Sequence, residues 1–530
     1  MEKTIFNQFF TATLKNPNAV AIRFENRVFT YKETNRRIEQ TASVLLSLGV
    51  RPGDCITVNL PNCPTALFLL YAINRLGAIA YFVHPLTPKK QLIEYIEKAN
   101  SHLLFALNTK ANSYRKDLDY LTKIVSVNPY KYSNCFKAIT AYFIAKTPLI
   151  GVIPFSKFPK NIELPNDISK EEDVAVYLNS GGSNGEPKVI MLTNHSINHL
   201  GEVGKTIIKD YSPSKIKMLT AIPLFHGFGL AMGVVTPLAN GSSTVLMMKF
   251  NPKKAIKEMK KGNVTTIIGV PALYASLLSQ PSFKKRACKN LVISFIGGDS
   301  VSKKLLERWN NKVVTEGGKS CLYEGYGLTE TVTVSNVNYA GQYKENSVGK
   351  PLPGILEVIL DPDTHEILPP NAIGEIAIGG DTIMKGYLDD PELTALSTFV
   401  TNNKSYILTR DLGYLDEDGY LFFKQRIRRI VKVNGVPVCP VDLERIALSF
   451  SYIEEAYAYG VPDKEKGSLI NLVVVVSPSF IGDKEKIKEE ILTSIKEYLS
   501  IYSYPKEIIF VAKMPRTSIG KIDDSAFTNC

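Results

Sequence analysis

Short apolar runs alternate with helical patterns along the first 300 residues of the chain. Residues 55–60 and 79–83 read as strands on either side of a helix that Pro64 opens and Gly77 ends, and a T-x-x-E capping pattern at residues 30–33 opens an earlier helix. Later strands are predicted, with helical stretches between them, at residues 219–223, 243–247, 265–270 and 291–296. This alternation predicts an α/β architecture with substantially parallel sheets.

Two further regions follow the α/β part. Residues 347–423 contain short runs separated by Pro-Gly, Gly-Gly and Asp-Gly turns, which predicts a β-rich region. After residue 428 strands and helices alternate again, and the clearest helix is predicted at residues 483–499. Because 530 residues are too many for one core, we place a domain boundary at residues 425–428.

The formal net charge is +12, and its distribution is uneven. Residues 428–530 hold 14 Lys+Arg and 14 Asp+Glu, so the whole excess belongs to the first 427 residues. Such an excess suits nucleic acid, an acidic membrane surface or a polyanionic small molecule. Since no arginine-rich tract or helix-turn-helix signature occurs, we favour a small-molecule polyanion over nucleic acid as the partner of the larger domain.

The cysteines and the apolar stretches indicate the cellular compartment in which the protein is expected. Seven cysteines are scattered without a C-x-x-C pair, which predicts reduced thiols in the cytoplasm and no zinc site. We expect no secretory signal at the N-terminus, and the most apolar stretch, residues 229–248, is broken by Pro237, Asn240 and Gly241. We therefore expect no membrane-spanning segment.

A glycine-rich stretch, residues 177–193, lies between two apolar runs and reads as a phosphate loop. Its glycines can direct backbone N–H groups at an anion and its polar side chains add donors; these residues are Ser180, Gly181, Gly182, Ser183, Asn184 and Gly185. Lys188 would supply a positive charge. Because Lys188 lies between Pro187 and Val189, the Walker pattern is not met. The alternative is a flexible surface loop that contains a lysine.

Four more unusual loops follow predicted strands. Their sequences are PLFHGFG at 223–229, VPALY at 270–274, GGDS at 297–300 and YEGYGLTET at 323–331. Ligand sites in α/β sheets lie beyond the carboxyl ends of the strands. Several such loops therefore predict one shared pocket.

Together with LTRDLGYLDEDGY at 408–420 and MPRTSIGK at 514–521, these loops resemble the acyl-adenylate-forming superfamily, in particular its acid–CoA ligase branch. The resemblance covers nearly the whole chain, and the motifs occur in the family's order. It implies an N-terminal AMP-binding domain, residues 1–424, built from two α/β subdomains and a β-rich subdomain at 346–424. A hinge at 425–428 would join it to a small mobile α+β domain, residues 429–530.

The resemblance also implies roles for individual residues. Residues 180–188 would hold the β- and γ-phosphates of ATP. The adenine would be lined by Asp299, Glu324, Gly325, Tyr326 and Gly327. Thr329 would contact the α-phosphate, Glu330 would bind Mg²⁺, Asp411 would accept the ribose hydroxyls and Arg426 would be its partner. The thiol-transfer face would include Lys432 and Gly435, the hinge would be Arg428, and the catalytic lysine of the small domain would be Lys521.

The implied reaction needs ATP, Mg²⁺ and CoA. A carboxylic acid attacks the α-phosphate to give acyl-AMP and pyrophosphate, and the acyl group then passes to the CoA thiol. One alternative acceptor is carrier-protein phosphopantetheine, because SGGSNG is close to the loop of aryl-acid-activating members. A non-catalytic nucleotide-binding regulator is the alternative from another class, and a luciferase-like oxygenase is formally open. The acid, aliphatic or aryl, and the oligomeric state are left open; fatty acid metabolism is the expected context.

His226 has two readings. A lone histidine beside an apolar strand end is usually structural. In PLFHGFG, however, it resembles the aromatic gate between the ATP site and the acyl pocket. Amino-acid-activating relatives carry aspartate after the phenylalanine, whereas His226 follows Phe225 here, so an α-amino acid substrate is disfavoured.

Three positions depart from the family pattern. Val189, Arg410 and Gln425 stand where glycine is usual, beside Lys188, Asp411 and Arg426 respectively. Arg410 could add a phosphate contact or narrow the ribose site.

Overall fold

The computed structural model describes residues 2–118, 123–133, 152–157, 163–165, 169–179, 188–208, 211–299, 301–429, 431–433, 436–438, 440–463, 467–478, 480, 482–499, 501–517, 522–523 and 525–528. The chain divides into two compact units. The first contains Met1–Lys344, Gly349–Leu356 and Ile378–Ile407, and the second contains Glu345–Val348, Glu357–Ala377 and Leu408–Cys530. Within the described ranges no helix is long and apolar enough to cross a lipid bilayer.

One sheet of the first unit supports most of the predicted ligand loops. Its strands run in the order Lys350–Pro351, Asn336–Val337, Leu322–Tyr326, Ile293–Ile296, Thr266–Gly269, Lys217–Thr220, Ser243–Leu246, Val20–Phe24 and Arg27–Thr30. The pairs from Leu322–Tyr326 across to Val20–Phe24 are parallel. Their carboxyl ends therefore lie along one edge, as the alternating sequence pattern predicts.

The second sheet of the same unit flanks the glycine-rich stretch. Its strands run in the order Gly386–Tyr387, Val189–Thr193, Val174–Asn179, Ile79–Phe82, Cys55–Asn59, Leu103–Leu107, Lys123–Val127 and Val152–Pro154. The two strands around the glycine-rich stretch are antiparallel neighbours, with Asn179 opposite Val189. The connection between them is therefore strand to strand.

Helices pack against these sheets. They are Ile5–Lys15, Tyr31–Ser47, Pro64–Arg75, Lys89–Lys98, Ala111–Tyr114, Asn194–Ile207, Thr236–Ala239, Pro252–Gly262, Pro271–Leu278, Lys285–Cys288, Lys303–Thr315 and Pro391–Leu396, with a π-helix at Phe228–Val235. Thr30 caps its helix by accepting the N–H of Glu33 (3.1 Å). A capping box would have the Glu33 carboxylate accept the Thr30 N–H, but here Glu33 Oε1 accepts a hydrogen bond from the Arg27 guanidinium (2.9 Å). Pro64–Arg75 is buried on every side apart from Arg75, because it lies between other helices and the sheet.

A third sheet has the strand order Ile355–Leu360, Gly374–Gly380, Lys404–Leu415 and Thr398–Thr401, with Leu421–Arg426 paired to Lys404–Leu415. Lys404–Leu415 pairs antiparallel with both Thr398–Thr401 and Leu421–Arg426. The turn-rich sequence predicts a β-rich region here, and these strands agree with it.

The C-terminal region of the second unit has its own core. Its strands are Val431–Val433, Val436–Val438, Ile453–Asp463, Gly467–Val476 and Glu507–Phe510, and its helices are Pro440–Ser449, Lys484–Tyr498 and Ser525–Thr528. Ile487, Ile491 and Ile495 bury one face of Lys484–Tyr498, which confirms the helix predicted at 483–499. The predicted α/β class with a small C-terminal α+β region is confirmed. The domain boundary at 425–428 stays a prediction.

Candidate active site

Lys188 is the described end of the predicted phosphate loop; residues 180–187, with the six predicted donors, lie outside the described ranges. The Lys188 ammonium lies 5.2 Å from the ring centroid of Tyr387, a cation–π distance. The next residue, Val189, is fully buried in its strand and accepts the N–H of Leu388 (2.9 Å). Valine therefore suits this extended, buried position where the family pattern has glycine.

The predicted adenine segment ends a parallel strand and turns back. Glu324, Gly325 and Tyr326 close the strand Leu322–Tyr326, and the 3₁₀ turn Thr329–Thr331 follows. The Leu328 N–H donates to Thr331 Oγ1 (3.2 Å), and the chain returns as Asn336–Val337, antiparallel to the first strand. This turn fixes the backbone of Thr329 and Glu330 beyond the carboxyl end of the sheet.

Glu330, the predicted Mg²⁺ ligand, is held through both its side chain and its backbone. Its Oε1 accepts a hydrogen bond from the Tyr387 hydroxyl (3.1 Å), and its carbonyl accepts the N–H of Met384 (2.7 Å). The same Tyr387 ring lies beside Lys188. Two predicted phosphate and metal groups from distant parts of the sequence are thus brought to one aromatic side chain.

Glu324 has an unusual electrostatic environment. Burial raises the pKa of its carboxyl from the usual 4.5 to about 7. Desolvation therefore favours the neutral form of this carboxyl. Perturbed carboxyl groups are concentrated in functional sites, which agrees with the predicted placement of this residue beside the nucleotide.

Asp299 follows the neighbouring parallel strand, Ile293–Ile296, through Gly297 and Gly298. A Cβ atom on Gly297 would lie 2.8 Å from the Gly325 carbonyl oxygen. The two predicted adenine loops can therefore approach this closely only because position 297 carries no side chain.

His226 lies in the turn that leads into the π-helix. Its Nδ1 accepts the Phe228 N–H (3.2 Å), and its carbonyl accepts the N–H groups of Gly229 and Leu230 (2.9 and 3.0 Å). These bonds fix the turn, so His226 has the structural role that the sequence left open; the gate role stays a prediction. The Phe225 ring packs on His84, with centroids 4.4 Å apart.

In the second unit, the predicted ribose ligand is paired with its predicted partner. Asp411 and Arg426 are opposite residues of one antiparallel ribbon, and Arg426 Nε lies 3.4 Å from Asp411 Oδ1. The Asp411 side chain is 3% exposed and that of Arg426 is 42% exposed. The pair therefore presents a buried carboxylate beside a partly solvated guanidinium.

The two remaining departures from the family pattern lie in this ribbon. Arg410 has a left-handed backbone (φ 59°), and its N–H donates to Oε1 of the fully buried Glu375 (2.8 Å). Its guanidinium lies 3.8 Å from Glu375 Oε2 and is 59% exposed. Gln425 is buried opposite Leu412, next to a register shift at Gly413.

The other predicted residues of the second unit are described only in part. Arg428 lies in the 3₁₀ turn Ile427–Arg429 and Lys432 in the strand Val431–Val433; their side chains are not described. Gly435 and Lys521 lie outside the described ranges. The flanks of the Lys521 segment, Arg516 and Ile522, form an isolated antiparallel bridge.

Sequence reasoning missed Tyr387, since a tyrosine in the stretch KGYLDD has no local signature of a role. Its significance follows from register: Tyr387 pairs with Ile190, two residues after Lys188. Sequence reasoning also missed the π-helix, whose signal was Gly229. A Cβ there would lie 2.2 Å from the Pro223 carbonyl oxygen.

A family model described as "AMP-binding enzyme" matches residues 9–388, and one described as "AMP-binding enzyme C-terminal domain" matches residues 442–521. The chain belongs to the AMP-binding enzyme family. This membership confirms the sequence resemblance to the acyl-adenylate-forming superfamily and the prediction that the chain is an enzyme of its acid–CoA ligase branch.

Individual relatives agree with this family. The chain is 27% identical over 534 residues to a long-chain-fatty-acid–CoA ligase of Bacillus subtilis (strain 168), covering 98% of this chain and 93% of the relative. It is 28% identical over 505 residues to 4-coumarate–CoA ligase 1 of Petroselinum crispum, covering 93% and 87%. The fold matches ATP-bound MatB from Rhodopseudomonas palustris with a TM-score of 0.83 at 23% identity, covering 100% and 99%.

The donor groups of the first unit fit a magnesium ion shared with nucleotide phosphates. Among the described residues no cluster of three or more His, Cys, Asp or Glu side chains could hold a metal. Mg²⁺ commonly takes only one or two protein carboxylates and completes its shell with phosphate oxygens and water. Glu330, whose Oε1 accepts the Tyr387 hydroxyl, would supply one such carboxylate.

Proposed function

We propose that the protein activates a carboxylic acid, aliphatic or aryl, with ATP to form acyl-AMP and pyrophosphate, and then transfers the acyl group to the thiol of CoA. The observation that carries this proposal is the meeting of Lys188, Glu330 and Tyr387 at the ends of two sheets. It joins a phosphate-binding charge to a metal-binding carboxylate, as phosphoryl chemistry requires.

Each group has a distinct task in the adenylation step. Lys188 and the N–H groups of the preceding loop would bind the departing pyrophosphate, and Thr329 would contact the α-phosphate. Asp411 would accept the two ribose hydroxyls, which suits its two carboxylate oxygens. Mg²⁺, held by Glu330, supplies charge neutralisation at the phosphate oxygens when bound.

The substrate class is supported by two observations. Relatives with similar coverage are named for long-chain fatty acids and for 4-coumarate, which are acids without an α-amino group. His226 occupies the position after Phe225 where amino-acid-activating enzymes carry aspartate. Both favour an acid that lacks a positive charge beside its carboxylate.

The test is a panel of aliphatic and aryl acids assayed for pyrophosphate release with ATP and Mg²⁺. We expect release that depends on both the acid and ATP, with acyl-CoA accumulating when CoA is added. Acyl transfer to a carrier protein but not to CoA would show that the acceptor is carrier-protein phosphopantetheine and not CoA. Absence of both acyl-CoA and acyl-carrier product with every acid would contradict the proposal.

Lys521→Ala separates the two half-reactions. We expect the rate of adenylation to fall about 10²- to 10³-fold, because the variant lacks a fixed positive charge that would stabilise the negative charge developing on the α-phosphate. Thioester formation from supplied acyl-AMP should be largely retained. Lys513→Ala, which removes an exposed lysine of the same region, is the control. Equal loss of both half-reactions in Lys521→Ala would contradict separate roles for this domain.

A further inference from the structure

The segment from Gly380 to Leu388 is attached to the strand that follows Lys188. Gly386 and Tyr387 pair antiparallel with Met191 and Ile190. The N–H groups of Lys385 and Leu388 donate to the carbonyls of Met191 and Val189, both at 2.9 Å. Because Tyr387 lies within this ladder, its backbone cannot shift without breaking the pairing beside Lys188.

The side chain of Tyr387 makes two contacts of opposite electrostatic character. Its hydroxyl donates to Glu330 Oε1 (3.1 Å), and its ring face lies 5.2 Å from the Lys188 ammonium. A phenol can serve both contacts, since its O–H donates to an anion while its π-face attracts a cation. Tyr387 is 7% exposed, so both contacts are made largely away from water.

Two further anchors restrict the segment. At its C-terminal end, the Tyr387 N–H donates to Thr394 Oγ1 (3.0 Å), and Asp390 caps the helix Pro391–Leu396 that carries this threonine. At its N-terminal end, Asp381 Oδ1 lies 3.2 Å from His195 Nε2, on the helix that follows the Lys188 strand.

We propose that Tyr387 is a positioning residue for adenylation, which fixes the Glu330 carboxylate and the Lys188 ammonium relative to each other before nucleotide binds. This inference rests on the proposed function. The hydroxyl donates to Oε1 of Glu330 and would orient that carboxylate for Mg²⁺ binding, while the ring would restrict the position of the Lys188 ammonium for phosphate binding. Groups fixed in this way need no rearrangement when charge develops on the phosphates.

Two substitutions separate the two contacts. Tyr387→Phe removes only the hydroxyl and keeps the ring beside Lys188, whereas Tyr387→Leu removes both. For Tyr387→Phe we expect the affinity for ATP measured with Mg²⁺ by calorimetry to fall about tenfold, the usual loss when a group supporting a metal ligand is removed. Its affinity for ATP in EDTA should be unchanged. Tyr387→Leu should lose affinity under both conditions.

Controls make the result specific. Tyr339→Phe removes another phenol hydroxyl of the same unit, one that donates to Gln342 Oε1 (3.0 Å), and should bind Mg²⁺-ATP as the wild type does. In a Glu330→Gln background, Tyr387→Phe should have little further effect on Mg²⁺-ATP affinity, because its partner carboxylate is already lost. Thermal unfolding of every variant checks the fold.

Two results would overturn the inference. One is wild-type Mg²⁺-ATP affinity in Tyr387→Phe, and the other is an equal loss of ATP affinity with and without Mg²⁺ in that variant. Because nucleotide binding is measured without an acid substrate, the two failures are distinguishable: a wild type that binds Mg²⁺-ATP but activates no acid would contradict the proposed function, whereas the Tyr387→Phe affinities test the positioning of Glu330 and Lys188 directly.

Discussion

The predicted nucleotide-binding groups of the two units are positioned in different ways. In the first unit Lys188, Glu330 and Tyr387 come from three distant stretches of chain and meet through side-chain contacts. In the second unit Asp411 and Arg426 are cross-strand neighbours of one ribbon, 15 positions apart. The first arrangement depends on tertiary packing, whereas the second depends on the register of one local pairing.

The two arrangements should respond differently to substitution. A residue in a tertiary cluster is displaced by any change that separates two packed layers. A cross-strand pair survives such changes as long as its own turn and ladder persist. We therefore expect substitutions at close approaches in the first unit to cost more stability than comparable substitutions in the ribbon of the second.

Gly229→Ala, compared with Gly419→Ala, gives the largest expected effect. The Gly229 Cβ would lie 2.2 Å from the Pro223 carbonyl oxygen, so the backbone must move, and we expect a loss of more than about 3 kcal/mol. Gly419, in the turn of the ribbon, has φ 78° with nothing within 4 Å of a Cβ, so only left-handed strain of about 1 kcal/mol is expected.

The measurement for this pair is the free energy of unfolding in urea. Similar losses for both glycines would remove the distinction between a packing contact and a local turn.

Glu324→Gln tests the buried carboxyl of the first unit. Because burial raises its pKa from 4.5 to about 7, ionised Glu324 is disfavoured in the folded state. The stabilising contribution of the protonated Glu324 carboxyl is fully present below pH 4.5 and is lost as the pH rises through 7. The free energy of unfolding of the glutamine variant should therefore rise relative to that of the wild type as the pH increases from 4.5 through 7. The relative gain should reach about 3 kcal/mol at pH 8.

Urea unfolding from pH 4 to pH 8 checks this expectation, with Glu307→Gln, at an exposed helical position, as the control. A pH-independent difference between Glu324→Gln and the wild type would contradict the assignment of the shift to burial.

Substitutions of Arg410, in the ribbon of the second unit, give the smallest expected effect on the free energy of unfolding. Both Arg410→Ala and Arg410→Gly remove the exposed guanidinium near Glu375 and retain the backbone N–H that Glu375 accepts. Only glycine relieves the left-handed backbone, so Arg410→Gly should be more stable than Arg410→Ala by about 1 kcal/mol. Chemical unfolding of the two variants side by side measures this difference. Greater stability of the alanine variant would mean that backbone strain is not the governing cost at this position.

Several local predictions from the sequence were confirmed. The helices from Pro64 and at 483–499 and the parallel strands followed from periodicity and turn residues. The T-x-x-E pattern placed the helix start correctly, but its glutamate bonds to Arg27, because an arginine from the preceding strand competes for it. The individual site residues carried over from the family remain predictions.

By itself the sequence determined the α/β class, the family and the residue types available for binding a nucleotide, because each follows from patterns within a few tens of residues. Only the tertiary structure decided that Tyr387 contacts both Lys188 and Glu330 and that His226 fixes the turn into a π-helix. It also decided that desolvation raises the pKa of the Glu324 carboxyl. Strand order and desolvation depend on residues hundreds of positions apart, so no local pattern encodes them.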